Sequence, residues 1–197
     1  MNSRKIASHG MADEDFERGK TPMTKAEVRA VTLAKLQLKD TDIFVDLGAG
    51  TGSISIEAAR VLHKGKVIAV ERKSDAITLI KKNCDKFAIE NLEILQSEAP
   101  YGLEVISRAD KIMIGGSGGH LSELVAWAYK ILPQNGRIAM NMITMENVHQ
   151  GWKAMKACGF EDCEMVQLTV SKGKRIGDYT MMMGQNPVFV LSARKGH

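Results

Sequence analysis

Two rhythms of apolar and polar positions alternate along the chain. Short apolar runs, roughly Ile43–Asp46, Lys66–Glu71, Leu92–Gln96, Lys111–Ile114, Arg137–Asn141, Cys163–Val170 and Pro187–Ala193, read as seven strands. Between them apolar residues recur at helical spacing, as in Ile77, Ile80, Cys84 and Phe87, then Leu121, Leu124, Val125 and Ala128, then Val148, Trp152 and Met155. Strand and helix in alternation predict an α/β protein with a mostly parallel sheet built from βαβ units, and the helical stripes are its core. Pro133-Gln-Asn-Gly136 reads as the turn into the fifth strand, and Gly159 stands where a helix C-cap is expected. After Val170 the helical rhythm stops, so the last two strands, joined by a loop over Lys172–Asn186, predict a terminal antiparallel hairpin. Ahead of the first strand, Val28, Val31 and Ala34 or Lys35 mark an amphipathic helix over Lys25–Leu36, with Thr24 as its N-cap and Glu27 at the capping-box position.

The chain's 197 residues suit one α/β domain with both sheet faces covered. We expect that domain over residues 13–197, after a flexible leader at 1–12 that lacks the apolar core of a signal peptide. No apolar stretch approaches membrane-spanning length, which argues against a membrane partner. The net charge of +4 is mild and the basic residues are scattered, so nucleic acid is not an expected partner. Cys84, Cys158 and Cys163 show no C-x-x-C spacing. Neither a disulfide framework nor a metal site is expected, and a reducing, cytoplasmic setting fits.

Candidate chemistry begins at Ile43-Phe-Val-Asp-Leu-Gly-Ala-Gly-Thr-Gly52, where an apolar run ends in an acid and three alternating glycines before a helical pattern. Such a turn brings backbone close to a ligand, at the N-terminal end of a helix. A second apolar run ends on Glu71, placed to hydrogen-bond both hydroxyls of a ribose. The dinucleotide fingerprint G-x-G-x-x-G needs glycine or alanine at position 53, where this chain has Ser53, so NAD is disfavoured. The V-D-L-G-A-G-T-G pattern instead resembles motif I of the class I S-adenosylmethionine-dependent methyltransferases, a Rossmann-like fold. Ser97-Glu-Ala-Pro100 stands where adenine packs in that fold, although an ordinary strand-to-helix turn looks similar. The fourth strand exits through Ile114-Gly-Gly-Ser-Gly-Gly119, without the Asn-Pro-Pro-aromatic box of amino-methylating enzymes. Gly115, Gly116, Ser117, Gly118 and Gly119 predict a thin floor able to admit a large flat substrate and offer backbone N–H groups to a carboxylate.

Taken with Phe16-Glu-Arg-Gly-Lys-Thr-Pro-Met-Thr-Lys-Ala-Glu-Val-Arg29, Gly136-Arg-Ile138, Gly159-Phe160, Thr180-Met-Met182 and Asn186-Pro-Val188, these motifs closely resemble the decarboxylating precorrin methyltransferases of cobalamin biosynthesis. The likeness covers residues 13–195. It is similar to the stand-alone form of the cobalt-precorrin-6B carbon-15 methyltransferase, elsewhere the C-terminal half of a fused enzyme that also methylates carbon 5. The resemblance implies an S-adenosyl-L-methionine cofactor held by Thr24, Gly48, Ala49, Gly50, Thr51, Gly52, Glu71 and Ala99. Glu71 and Glu98 replace other acids found in some relatives and keep the charge. On this reading, removing Glu71 weakens cofactor binding and barely moves the stability of the empty fold.

The implied substrate is a tetrapyrrole with many acid side chains, for which Arg29, Lys172, Lys174 and Arg175 are the candidate cations, with the Lys172–Asn186 loop folding beside the glycine floor and Arg175 mattering most. No residue is assigned as an acid or base, because a reduced tetrapyrrole is itself a carbon nucleophile. The resemblance also implies a homotetramer, and Tyr179-Thr-Met-Met-Met183 offers apolar surface for it or else fills the core at the sheet edge. The alternatives are a tRNA methyltransferase of the same fold and a non-catalytic cofactor-binding subunit.

Overall fold

The computed structural model describes residues 10–196. Its strands are β1 (Ile43–Leu47), β2 (Lys66–Glu71), β3 (Leu92–Gln96), β4 (Lys111–Ile114), β5 (Arg137–Met142), β6 (Phe160–Leu168), β7 (Ser171–Ile176), β8 (Tyr179–Gly184) and β9 (Val188–Lys195). Seven of them form one sheet in the order β3-β2-β1-β4-β5-β9-β6, and β7 and β8 pair separately. The strands from β3 to β5 run parallel, while β9 is antiparallel to both β5 and β6. This is the mostly parallel α/β sheet with an antiparallel end that the alternating rhythms predict, and the fold that the resemblance to class I methyltransferases implies.

The helices are α1 (Ala26–Leu36), α2 (Ser53–Ala59), α3 (Ser74–Phe87), α4 (Leu121–Ile131) and α5 (Met145–Cys158). Helices α1 and α2 bury Leu33, Leu36, Ile54 and Ala58 against one sheet face, and α4 and α5 bury Leu124, Ala128, Val148 and Met155 against the other. Phe44 joins the first core and its neighbour Val45 the second, as strand alternation requires. The stripe of α4 is buried throughout, whereas of the expected α3 stripe Ile77 and Ile80 are buried and Cys84 and Phe87 are half-buried. Gly159 caps α5 at φ +86°.

Three expectations need correction. Strand β6 starts at Phe160, because Gly159 turns the chain straight into an edge strand whose bulge between Glu161 and Glu164, with Asp162 at φ 50°, hides the alternation. The Lys172–Asn186 segment is the β7–β8 hairpin; every residue of both strands is exposed, so no period-2 burial signal exists to read. Helix α1 begins at Ala26 after Lys25, which makes no side-chain cap, and its buried row is Val28, Arg29, Thr32, Leu33 and Leu36. Thr24 therefore does not cap the helix. Asp13 does that work from a distance, its Oδ1 accepting the Ala26 N–H at 2.9 Å.

The expected flexible leader also needs revision at residues 10–12. The N–H groups of Gly10 and Met11 donate to the Glu57 carboxylate at 2.9 and 3.0 Å, which ties this stretch to α2. Residues 1–9 of that leader lie outside the described residues.

Candidate active site

The glycine turn lies at the carboxyl edge of the sheet, between the ends of β1, β2 and β4. Gly48 and Ala49 donate to the Val70 carbonyl at 2.9 and 3.1 Å, so the turn is pinned across the sheet. At Gly48, φ is +76° and a Cβ would stand 2.7 Å from the Gly116 nitrogen. Only glycine satisfies both. Gly52 leads into α2 at φ +78°, and a Cβ there would press on Ile80 of α3 at 3.2 Å.

Glu71 is buried and accepts three backbone N–H groups, from Gly50 at 3.0 Å and from Arg72 and Lys73 at 2.9 Å each. It thus ties the glycine turn to the start of α3. A carboxylate has about four acceptor sites, so roughly one stays open toward a ligand. These bonds correct the expectation that the empty fold is indifferent to Glu71, since removing it strands three donors.

Two cavities meet at this turn and share Pro22, Gly48, Gly50 and Gly115 as walls. The smaller, about 260 Å³, runs past Glu71 to Ser97, Glu98 and Ala99 and is floored by Gly116, Ser117 and Gly118. The larger, about 480 Å³, is lined by Thr24, Asp46, Ala49, Thr51 and Asn141, with apolar walls from Val28, Ile54, Ile143 and Val188. Of the residues that the resemblance assigns to the cofactor, Gly48, Gly50, Glu71 and Ala99 line the first, and Thr24, Ala49 and Thr51 the second. Gly52 lines neither and acts through the helix junction.

The segment from Thr21 to Lys25 roofs both cavities, and the sequence holds no visible sign of what fixes it. Arg29 does so from inside α1. Its guanidinium is fully buried and donates to Glu57 at 2.8 Å, to Asp13 at 2.7 Å, to the Thr24 carbonyl at 2.6 Å and to the Met11 carbonyl, with Phe16 stacked on it at 4.8 Å. Asn83 of α3 adds a second tie, bridging the Glu17 backbone and the Thr51 carbonyl. Arg29 is therefore corrected from a substrate cation to a buried clamp, since none of its surface reaches solvent or either cavity.

The hairpin cations are not brought to the cleft either. Lys172 pairs with Glu27 of α1 at 2.9 Å, Arg175 donates to the Gly177 carbonyl in its own turn, and neither they nor Lys174 line a cavity. The pairing holds the Glu27 carboxyl below its ordinary range and the Lys172 ammonium above its own, mainly through that one hydrogen bond. Only the hairpin's base, Gln185 and Asn186, reaches the larger cavity. The glycine floor is also narrower in capacity than expected. The N–H groups of Gly115 and Gly116 are both spent on the Leu47 carbonyl, which leaves the exposed stretch from Ser117 to Gly119.

Asp46 lies on the wall of the larger cavity and accepts the Ser55 hydroxyl at 2.6 Å. Burial, with the nearby Glu71 charge adding to it, pushes its carboxyl up to about 6. At neutral pH it is an ionised acid in dry surroundings, and a cation in the cavity would relieve it. Two buried polar atoms on the same cavity wall, Thr51 Oγ1 and Asn141 Nδ2, have no hydrogen-bond partner among the described residues.

The model of the precorrin methyltransferase domain matches residues 14–195. This chain belongs to the precorrin methyltransferase family. It is 41% identical over 186 residues to the cobalt-precorrin-6B C(15)-methyltransferase (decarboxylating) of Salmonella typhimurium, covering 94% of this chain and 96% of that one. The crystal structure of precorrin-6Y C5,15-methyltransferase from Geobacter metallireducens superimposes with a TM-score of 0.90 at 35% identity, covering 94% of this chain and 98% of that one. Precorrin 8W decarboxylase from Methanobacterium thermoautotrophicum superimposes with a TM-score of 0.88 at 28% identity, covering 93% and 98%. Among the described residues no helix is long and apolar enough to cross a membrane.

Proposed function

We propose that this precorrin methyltransferase transfers a methyl group from S-adenosylmethionine to carbon 15 of a cobalt-precorrin and releases the ring C acetate carboxyl as carbon dioxide. The observation that carries the reading is the match along nearly the whole chain, which spans the glycine turn, Glu71 and both cavities. The residues present fit the cofactor. Glu71 keeps an open acceptor site for ribose hydroxyls, Thr51 has a hydroxyl without a partner among the described residues, and the turn at Gly48 is too close-packed for any side chain.

S-adenosylmethionine supplies an electrophilic methyl on a sulfonium. The work of the chain is placement, because an in-line displacement needs donor and acceptor atoms at about 3–3.5 Å. Glu71 and the Ser97–Ala99 wall would hold the nucleoside, and Thr24, Ala49 and Thr51 would hold the amino-acid end. The ionised Asp46 favours positive charge in the larger cavity. The apolar walls of the larger cavity exclude water from the acceptor carbon. Loss of the acetate carboxyl leaves its electron pair in the conjugated ring, so the chain need supply no electron sink. Mass spectrometry of a precorrin-6B-type tetrapyrrole incubated with protein and cofactor should show the gain of one methyl and the loss of one carbon dioxide. Cofactor binding without either change would discard the reading in favour of a binding subunit.

Assembly belongs to the same proposal. The β7–β8 register places Ile176, Tyr179, Met181 and Met183 on one face with Lys172 and Lys174, and all four apolar residues are exposed. We assign this face to the subunit contact of a homotetramer. Sedimentation at micromolar concentration yielding a clean monomer would remove it.

A further inference from the structure

Lys25 opens α1, and by the physics of helix ends it is the wrong residue there. The position before the first helical residue favours a short side chain that caps a free N–H, and the positive end of the helix repels an ammonium. Lys25 has an extended backbone and makes no side-chain cap. Capping falls to Asp13, which accepts the Ala26 N–H. A residue that breaks a local rule without a structural return points to a function at its position.

The surroundings of Lys25 indicate that function. Its side chain is half-buried and lines the larger cavity, where it is the one cation among the described residues. The ammonium stands 4.0 Å from Asp13 Oδ2, which also lies 3.9 Å from Lys172, while Oδ1 of that carboxylate is taken by Ala26 and Arg29. At that distance the contact is an ion pair without a hydrogen bond, and the three donors of the ammonium stay available. The backbone beneath is fixed on both sides. The Thr24 carbonyl accepts the Arg29 guanidinium at 2.6 Å, the Lys25 carbonyl accepts the Arg29 N–H at 2.8 Å, and Asp13 holds Ala26. A rigid root with uncommitted donors is a binding group whose ordering cost is largely met before a ligand arrives.

Thr51 Oγ1 gives an independent sign. It belongs to a residue 1% exposed, lies on the same cavity and has no partner among the described residues. A buried hydroxyl without a partner is costly unless a ligand completes it. A carboxylate answers both groups, as counter-ion to the ammonium and acceptor for the hydroxyl, and it suits the positive end of α1. Asp46 leaves the lysine to that ligand, since Asp46 is bonded by Ser55 and Lys25 leans toward Asp13.

We propose that Lys25 is the carboxylate-binding cation of the larger cavity, the role that Arg29 and the hairpin cations do not fill. The inference rests on the methyltransferase reading for the source of the carboxylate, which is either the amino-acid end of the cofactor or an acid side chain of the tetrapyrrole.

The test compares K25Q, K25R and K172Q with wild type in two separate arms, calorimetry with S-adenosylmethionine and absorbance titration plus kinetics with a precorrin-6B-type tetrapyrrole. Lys172 is the matched control, a lysine of similar exposure and distance from Asp13 that lines neither cavity. K25Q should weaken binding in one arm by about three- to tenfold at low salt, as expected for a partly exposed hydrogen bond between charged groups. The difference should shrink as salt rises. A loss in the first arm assigns the cofactor's carboxylate, and a raised KM for the tetrapyrrole with kcat little changed assigns the acceptor's. K25R keeps the charge and should recover most of the loss, and K172Q should match wild type. The melting temperature of empty K25Q should equal that of wild type, because the ammonium caps nothing. Wild-type affinities of K25Q in both arms, an equal loss in K25R or K172Q, or a lowered melting temperature of K25Q that accounts for its loss would overturn the anchor. Wild-type protein that binds cofactor and no tetrapyrrole would sink the corrinoid reading instead, and the calorimetric arm alone would then decide on Lys25.

Discussion

Arg29 and Lys172 touch the same carboxylate, Asp13, at 2.7 and 3.9 Å, yet the Arg29 side chain is 0% exposed and that of Lys172 is 45% exposed. The first is a clamp with every bond made inside the protein. The second lies on a hairpin whose every strand residue meets water. Residue type, sign and partner are nearly the same, so the contrast isolates burial as the variable. A charge removed from water must be met by fixed partners and then fixes them in return, whereas an exposed charge is already satisfied by solvent.

The largest effect is expected at the dry end. Arg29→Met removes the cation that bridges Asp13 and Glu57 and should cost about 3–5 kcal/mol, the range for breaking a buried pair from one side. Chemical denaturation would measure it, and protease cleavage before Lys25 should accelerate as the roof of the cavities loosens. A loss below about 1 kcal/mol would show that this interior is wetter than the geometry implies.

Among the described residues no cation pairs with the buried Asp46, so it should behave in the opposite sense. Its folded value of about 6 lies above the ordinary 3.8, so the folded state holds its proton more tightly than the unfolded one between these values. Stability from this group is therefore full below about pH 4 and is lost as pH rises toward about 6 and beyond. Asp46→Asn should stabilise the empty protein at pH 7 by up to about 3 kcal/mol and flatten the denaturation midpoint between pH 4 and about 6. A destabilised variant would mean that Asp46 already has a compensating partner.

Glu71 is intermediate, a buried charge satisfied by backbone N–H groups alone. Glu71→Ala should weaken S-adenosylmethionine binding by about 1.5–3 kcal/mol in calorimetry and also lower the melting temperature of the empty protein, because three donors lose their acceptor. Unchanged affinity would remove Glu71 from the cofactor site. The smallest effect belongs to the wet end. Changing Lys172, Lys174 and Arg175 to Gln together should shift stability by less than about 1 kcal/mol. With these cations away from both cavities, the same triple change should leave the KM for tetrapyrrole near wild type. A large rise in that KM would place the hairpin over the cleft of the assembled enzyme.

The sequence by itself was enough for the seven strands of the main sheet and the helices between them, the glycine turn, the acid that closes the second strand and the family, but not for the β7–β8 hairpin. These depend on period-2 and period-3.6 patterns and on contiguous motifs, which a folded core imposes on neighbouring residues. The apolar spacing of α1 points to Val31 and Ala34 or Lys35, whereas the buried row includes Arg29 and Thr32, because a buried arginine gives no apolar signal. What only the tertiary structure decided is the set of pairings between distant residues: Arg29 with Glu57, Asn83 with Thr51, Thr32 with Asn141, Asp13 at the start of α1. Whether an arginine clamps or binds and whether a threonine caps or faces a cavity depend on desolvation and on partners supplied by other elements. Those are properties of the packed molecule, and no local pattern in the chain records them.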